Sequence, residues 1–443
     1  MQRALDIART TENDYQQVKT LLKLGDVEIG AGAREVGRQY MRDAFELAKQ
    51  KRIDNYTKRA LVDIGNSFIS SGQYDEAERY IKESLDLSQR QKDRRNSARA
   101  LLVLGSLAER RLRPDEAVKY IEQALPFYQQ GGYRKEMTQA LHLLGRAKVQ
   151  KGEYDSALKT FEQLLVLTQQ LGDPAQLALV NEDLGLIRLI QGRYPDALSH
   201  FEESYKIAKS LGIQKTVSVN LLNRANTLWR LGRFNEARVA LDEVAGDAEN
   251  PQAAKNISAS YSLARARLAL SEGRIDEARS HVNKALTLAG EQFKATAITA
   301  TYTLGKIEAQ SGSTSGGTAK ATTALAMARD AGSPFLVSEA LIALADTQVY
   351  ARKPDAVNTA LEAQRLVASF GNHDYEWLAL TLAARAARFK GDAPQARDLA
   401  TKANAILSSL KKVFGDDNYN YYLNRADVQI SRKQLSDLLA ENP

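Results

Sequence analysis

Residues 104–125 read LGSLAERRLRPDEAVKYIEQAL, residues 144–165 read LGRAKVQKGEYDSALKTFEQLL, and residues 184–205 read LGLIRLIQGRYPDALSHFEESY. Aligned, they share a frame of 40 residues, which extends in both directions. Gly25, Gly65, Gly105, Gly145 and Gly185 occupy one slot, with Ala225 in the next. Gly72, Gly152, Gly192 and Gly232 occupy a second, with Leu112 in the missing place. Ala77, Ala117, Ala157, Ala197 and Ala237 form a third series. A fourth pairs a small or apolar residue with a large one, as in Ala4-Leu5, Ala44-Phe45, Ser84-Leu85, Ala124-Leu125 and Leu164-Leu165. Self-similarity at such a period marks a repeat protein.

Each slot has a physical reason. The first glycine falls inside an apolar-periodic segment. Glycine there costs about 1 kcal/mol relative to alanine, which points to a neighbouring helix pressed close to the backbone. The second glycine falls between two such segments, where positive φ closes a turn. An aromatic follows two residues later, at Tyr74, Tyr154, Tyr194 and Phe234. Pro114, Pro195, Pro354 and Pro394 stand at the start of the next segment, where a missing N–H does no harm. Phe161, Leu164, Leu165 and Thr168 follow helical spacing, as do Ile81, Ser84, Leu85 and Ser88. A single helical hairpin cannot bury its apolar stripe, so the units must stack. The expected fold is all-α, a right-handed α-solenoid of about ten antiparallel helical hairpins.

This pattern resembles the tetratricopeptide (TPR) consensus of a large residue, Leu-Gly, a small turn with an aromatic, and alanines. The 40-residue version is similar to the longer-helix repeats of kinesin light chain and related adaptors. The run from YIEQALPFYQQGGYRKE through NRANTLWRLGRFNEARVALDE is similar to C-terminal TPR arrays of some bacterial serine/threonine protein kinases. The array is expected over residues 1–413, strict to about 240 and degenerate beyond. The phase slips at Gly273, the turn SGSTSGGTA around Gly312 reads as lengthened, and glycine is lost at Arg352. Residues 414–443 break from the repeat and read as a capping segment, with Tyr419, Tyr421, Tyr422 and Leu423 on the last hairpin. The run Asp416-Asp417-Asn418 reads as a polar turn. The start MQRALDIA matches the end of a second helix, so the chain is expected to be part of a longer polypeptide.

Composition limits the chemistry. There is no cysteine, so disulfides, thiolate metal sites and cysteine nucleophiles are excluded. Net charge is +7 from 61 basic and 54 acidic side chains, and the two signs are mixed along the helices. No lysine-arginine block with aromatic interleaving appears, which argues against nucleic acid as partner. His142, His200, His281 and His373 do not cluster, and no HExxH, GxSxG or kinase loop set is present. The expectation is a chain without cofactor or catalytic residues. The compartment and oligomeric state stay open.

The resemblance implies that first helices line a concave face that holds an extended peptide, with asparagine often following the Leu-Gly pair. That slot holds Asn66, Ser106, Arg146, Leu186 and Asn226, then Arg267, Lys306, Asp346 and Arg385. Nearby groove positions carry Arg59, Arg99, Arg110 and Arg230, with Asn223 and Trp229 close by. The expected partner-binding set is Arg59, Asn66, Arg99, Arg110, Arg146, Asn223, Asn226 and Arg230. Arginine pairs bidentately with carboxylate, so the expected partner is a protein or peptide with acidic character or a C-terminal carboxylate. The alternative is a regulatory domain of a larger signalling protein such as a serine/threonine kinase.

Overall fold

The computed structural model describes residues 1–250 and 254–440, apart from the Gln2 side chain. They form 23 helices and, among the described residues, no strand. The chain divides into two compact units, Met1–Gln150 and Lys151–Pro443.

The N-terminal unit contains α1 (Gln2–Thr10), α2 (Asp14–Gly30), α3 (Arg34–Gln50), α4 (Asp54–Ser70), α5 (Tyr74–Arg90), α6 (Arg94–Arg110), α7 (Pro114–Gln130) and α8 (Arg134–Lys151), which ends at the boundary. The C-terminal unit contains α9 (Tyr154–Leu171), α10 (Pro174–Ile190), α11 (Tyr194–Ser210), α12 (Gln214–Leu231), α13 (Phe234–Glu249), α14 (Lys255–Ser271) and α15 (Ile275–Ala289). It continues with α16 (Lys294–Gln310), α17 (Thr314–Asp330), α18 (Pro334–Tyr350), α19 (Ala356–Ser369), α20 (His373–Phe389), α21 (Ala393–Phe414), α22 (Asp416–Leu423) and α23 (Ala426–Ala440). Even-numbered helices from α2 to α20 are the first helices of their repeats.

The in-helix glycines sit where the partner helix crosses. A Cβ on Gly65 would lie 2.5 Å from Ile81 Cγ1, one on Gly105 2.5 Å from Ile121 Cγ1, and one on Gly185 2.6 Å from Phe201 Cε1. The large residue of each second helix thus fills the space that glycine leaves, and Ile81, Ile121 and Phe201 are fully buried. The turn glycines are left-handed, with φ of 76° at Gly72, 82° at Gly152, 70° at Gly192 and 80° at Gly232.

Leu112 takes the same turn with φ of 56°, a conformation that costs an L-residue about 1–2 kcal/mol. Its side chain is 55% exposed, so little burial is lost on truncation. Leu112→Gly therefore raises stability by about 0.5–1 kcal/mol, after the larger unfolded-state entropy of glycine is subtracted. The urea midpoint should move up; an unchanged or lower midpoint refutes the strain.

Two sequence expectations are corrected. The turn near Gly312 is not lengthened, because α17 starts at Thr314 and absorbs Gly316 and Gly317 into its first turns. Gly317 lies against α16, where a Cβ would sit 2.5 Å from the Gly305 carbonyl oxygen; these glycines serve helix contact and not loop flexibility. Asp416, Asp417 and Asn418 are not a free polar turn but the first turn of α22, where acidic side chains oppose the helix dipole.

In the N-terminal unit neighbouring hairpins are joined by buried polar links as well as apolar packing. Asp93 caps α6 by accepting the Asn96 N–H at 3.1 Å, and the buried Lys58 ammonium lies 2.6 Å away. Burial works against the Asp93 charge, but Lys58 and Asn96 outweigh it and hold the carboxyl at about 2.

The C-terminal unit closes on itself along a seam. Gly152 lies under Pro334, with 2.8 Å between a Cβ built there and the proline Cγ. Gly192 lies under Asn372, at 2.8 Å by the same measure, and the Asn372 amide donates to the Ile190 carbonyl at 2.8 Å. Gly232 lies under the Tyr421 carbonyl. Three turns spaced by the repeat therefore each receive backbone or side chain from far along the chain. The aromatics that follow the glycines insert at the same places. Tyr154 meets Phe370 edge-on at 5.2 Å, and Tyr194 meets Phe414 at 5.4 Å. Trp377, Tyr194 and Tyr422 are the largest fully buried side chains, and they belong to one core cluster with Leu380, Leu407 and Leu435.

Of the four residues expected on the last hairpin, Tyr422 is buried in this seam, while the Tyr421 side chain is 51% exposed and only its backbone makes the contact. Tyr419 donates to the Leu407 carbonyl of α21 at 3.2 Å, and Leu423 packs against the same cluster.

Candidate functional site

The first helices of the N-terminal unit bring five of the expected residues to one face, in two groups. In the first, Asp63 of α4 is buried between Arg59 at 3.4 Å and Arg99 of α6 at 2.5 Å. Burial outweighs both guanidiniums and holds the Asp63 carboxyl above the usual carboxylate range. Asp26 is also raised, by burial first and then by the charge of Asp63. Arg59 and Arg99 are thus both engaged in ion pairs with Asp63. Asn66, beside them in sequence, is exposed.

In the second group one cation stays outside any ion pair. Buried Glu109 accepts from Arg146 at 2.6 Å and from the Gln150 amide at 3.3 Å. Arg110 is exposed and, among the described residues, has no ion-pair partner. Ser106, Arg110, Leu143, Arg146 and Gln150 line an open cavity of about 440 Å³ with Glu109 at its base. The Gln150 side-chain amide oxygen in this group has no donor among the described residues. Two cations, one carboxylate and a vacant acceptor are the complement of a carboxylate followed by an N–H.

In the C-terminal unit the expected residues have a different setting. Arg230 was expected as an open groove cation, and that is corrected: its side chain is 4% exposed. It pairs with Glu339 of α18 at 2.7 Å and donates to the Tyr375 hydroxyl of α20. Its guanidinium lies 5.0 Å from the Tyr375 ring centre and 5.8 Å from that of Tyr194. Burial alone would raise the Glu339 carboxyl, but Arg230, Arg267 and Tyr375 outweigh it and hold it below the usual range. Asn226 accepts from Arg267 of α14 at 2.7 Å, so the asparagine slot is used between repeats. Asn223 is half-buried beside it on α12. Trp229 donates to Ser271 at 2.8 Å and lies under Arg267 and Arg425.

Behind this pair the polar network runs from the periodic Tyr194 into residues that periodicity does not mark. Tyr194 donates to Asp374 at 2.5 Å, Tyr422 donates to the other Asp374 oxygen, and Trp377 donates to the Tyr422 hydroxyl at 2.7 Å. Arg425 pairs with Asp427 at 2.6 Å and donates to the Arg230 carbonyl at 2.5 Å.

Stacked antiparallel hairpins with in-helix glycines and left-handed turns define a helical-repeat protein, the architecture of a protein–protein interaction scaffold. Tetratricopeptide repeat models match residues 56–130 and 136–210, and a second model of that name matches 222–293. The chain belongs to the tetratricopeptide repeat superfamily. Among solved structures it is similar to the apo form of RapI, at 13% identity over 62% of this chain and 98% of that one, with a TM-score of 0.54. It is also similar to a Rap protein complexed with Competence and Sporulation Factor, at 12% identity over 86% and 99%, with a TM-score of 0.53. These likenesses are of fold. No curated protein matches the sequence significantly. Among the described residues, no helix is long and apolar enough to cross a membrane.

Proposed function

We propose that the chain is a non-catalytic scaffold that holds an extended acidic segment of a partner protein on the first-helix face of its N-terminal unit. Arg110 and Arg146 take a carboxylate, the Gln150 oxygen takes a backbone N–H, and Asn66 supplies a further anchor. The observation that carries this reading is the exposed Arg110 at this cavity, in no ion pair among the described residues, whereas Arg59 and Arg99 are both paired with Asp63. A Rap protein of similar fold was solved with a factor bound, which supports ligand binding as a use of such arrays. In a larger signalling protein this face would serve as the sensing or docking module.

The test is a fluorescence anisotropy titration with a labelled octapeptide of alternating Asp and Leu, against its Asn-for-Asp counterpart. The acidic peptide should bind, and Arg110→Ala/Arg146→Ala should weaken it about 10–100-fold, since charge-assisted hydrogen bonds contribute about 1.5–3 kcal/mol each before screening. Equal binding of both peptides, or an unchanged affinity in the variant, rejects the reading.

A further inference from the structure

The C-terminal unit carries a second cavity, of about 180 Å³, where side chains of five first helices meet. Its polar wall is Asn226 and Arg230 of α12, Arg267 of α14 and Glu339 of α18. Its apolar wall includes Leu189 of α10, Leu263 of α14 and Phe335 of α18. The depression is open to solvent, and its volume corresponds to roughly six waters at about 30 Å³ each, enough to seat a small molecule.

The charges in this wall do not match. Glu339 is the one carboxylate, and its hydrogen-bond partners are Arg230 and the Tyr375 hydroxyl. Among the described residues, the hydrogen-bond acceptors of Arg267 are neutral, Asn226 at 2.7 Å and the Tyr302 hydroxyl at 3.0 Å. The Arg230 Nε–H is buried and, among the described residues, has no acceptor. Arg425, on the far side of Arg230, has its own carboxylate in Asp427, and Asp374 is held by two tyrosine hydroxyls. A buried donor without an acceptor is costly, and two guanidiniums that share one carboxylate in a half-apolar cavity attract a second anion.

We infer that this cavity binds a small free carboxylate bearing an apolar group of a few carbons. The carboxylate lies against Arg267 and Arg230, and the hydrocarbon lies against Leu189, Leu263 and Phe335. The site is separate from the peptide face of the N-terminal unit and does not depend on it. Because its wall comes from α10 through α18, an occupant ties together helices that the seam also joins, so binding raises the stability of the C-terminal unit.

The experiment is thermal unfolding of the full chain with sodium isovalerate, against sodium chloride of equal ionic strength and against isovaleramide, the neutral isostere. Isovalerate at about ten times its dissociation constant should raise Tm by about 2–4 °C, and the two controls should not. Arg267→Gln removes the charge, and Ala295→Phe, at an exposed rim position, fills the cavity without touching a charge. Each should abolish the shift while leaving the circular dichroism spectrum unchanged. Arg110→Ala/Arg146→Ala should keep the shift while losing the acidic octapeptide, which separates this site from the first. An equal shift with chloride or isovaleramide, no shift with isovalerate, or a full shift in both cavity variants overturns the inference. So does an acidic octapeptide that binds through Arg267 where isovalerate does not, since the carboxylate would then belong to a peptide side chain.

Discussion

Arg230→Met destabilises the C-terminal unit by about 3–5 kcal/mol, the usual cost of removing one partner from a buried ion pair. Methionine fills much of the volume, so the loss is electrostatic and not a cavity effect. Glu339, itself buried, is left with the Tyr375 hydroxyl at 2.6 Å and the more distant Arg267. Replacing both partners, as in Arg230→Met with Glu339→Leu, should restore most of the loss, because an apolar pair has no desolvation cost to repay. The pH dependence gives a second check. In the native chain the Glu339 carboxyl lies below its ordinary value. Its contribution is therefore complete above that ordinary value and is lost as pH falls through the folded one. In the variant the sign reverses. Burial now dominates, the folded value rises above the ordinary one, and the penalty grows as pH rises through that window. Urea unfolding should show a larger gap between variant and native chain at about pH 8 than at about pH 5. A gap below about 1 kcal/mol, or one that does not change with pH, contradicts the ion pair.

Arg230 also marks where the sequence stopped being readable. Arg110 and Arg230 occupy the same slot of the repeat, three units apart. The repeat register assigns them one environment, yet Arg110 is exposed and Arg230 is buried. The difference is tertiary. At Arg230 the chain returns, with Glu339, Tyr375 and Arg425 arriving from 109, 145 and 195 residues away. Most of what neighbours within one hairpin set was legible: the in-helix glycines, the turn glycines with Leu112 in one of their slots, and the helical spacing. What failed was of two kinds. Glycines at 316 and 317 suggested a loop, because composition cannot separate a flexible glycine from one pressed against another helix. The seam residues Asp374 and Arg425 lie in the degenerate half, where no period draws attention to them. A buried acid beside two aromatics, as in HDYEW at 373–377, was the one local signal available.

The seam itself is tested most sharply by two alanines. Gly212 and Gly232 both have left-handed φ, 67° and 80°, so alanine at either meets the same backbone strain of about 1–2 kcal/mol. Their surroundings differ. Among the described residues, its own chain neighbours aside, nothing lies within 4 Å of a Cβ at Gly212, whereas one at Gly232 runs into the Tyr421 carbonyl oxygen and comes within 2.9 Å of Arg425 Cγ. The Tyr421 carbonyl belongs to a helical backbone and cannot rotate away as a side chain could. Room for the methyl group is made only by moving α22, which pulls Arg425 from the Arg230 carbonyl and Tyr422 from Asp374 and Trp377. Gly212→Ala is expected to cost about 1 kcal/mol, and Gly232→Ala about 3 kcal/mol or more, with overpacking added to the strain. The chain has two tryptophans, and both report on this contact, Trp229 through Arg425 and Trp377 through Tyr422. Gly232→Ala should therefore shift the tryptophan emission to the red before the helical signal is lost, while Gly212→Ala keeps the native spectrum. Equal costs at the two positions, or an unshifted emission in Gly232→Ala, would mean that the returning C-terminal helices do not hold the repeats closed.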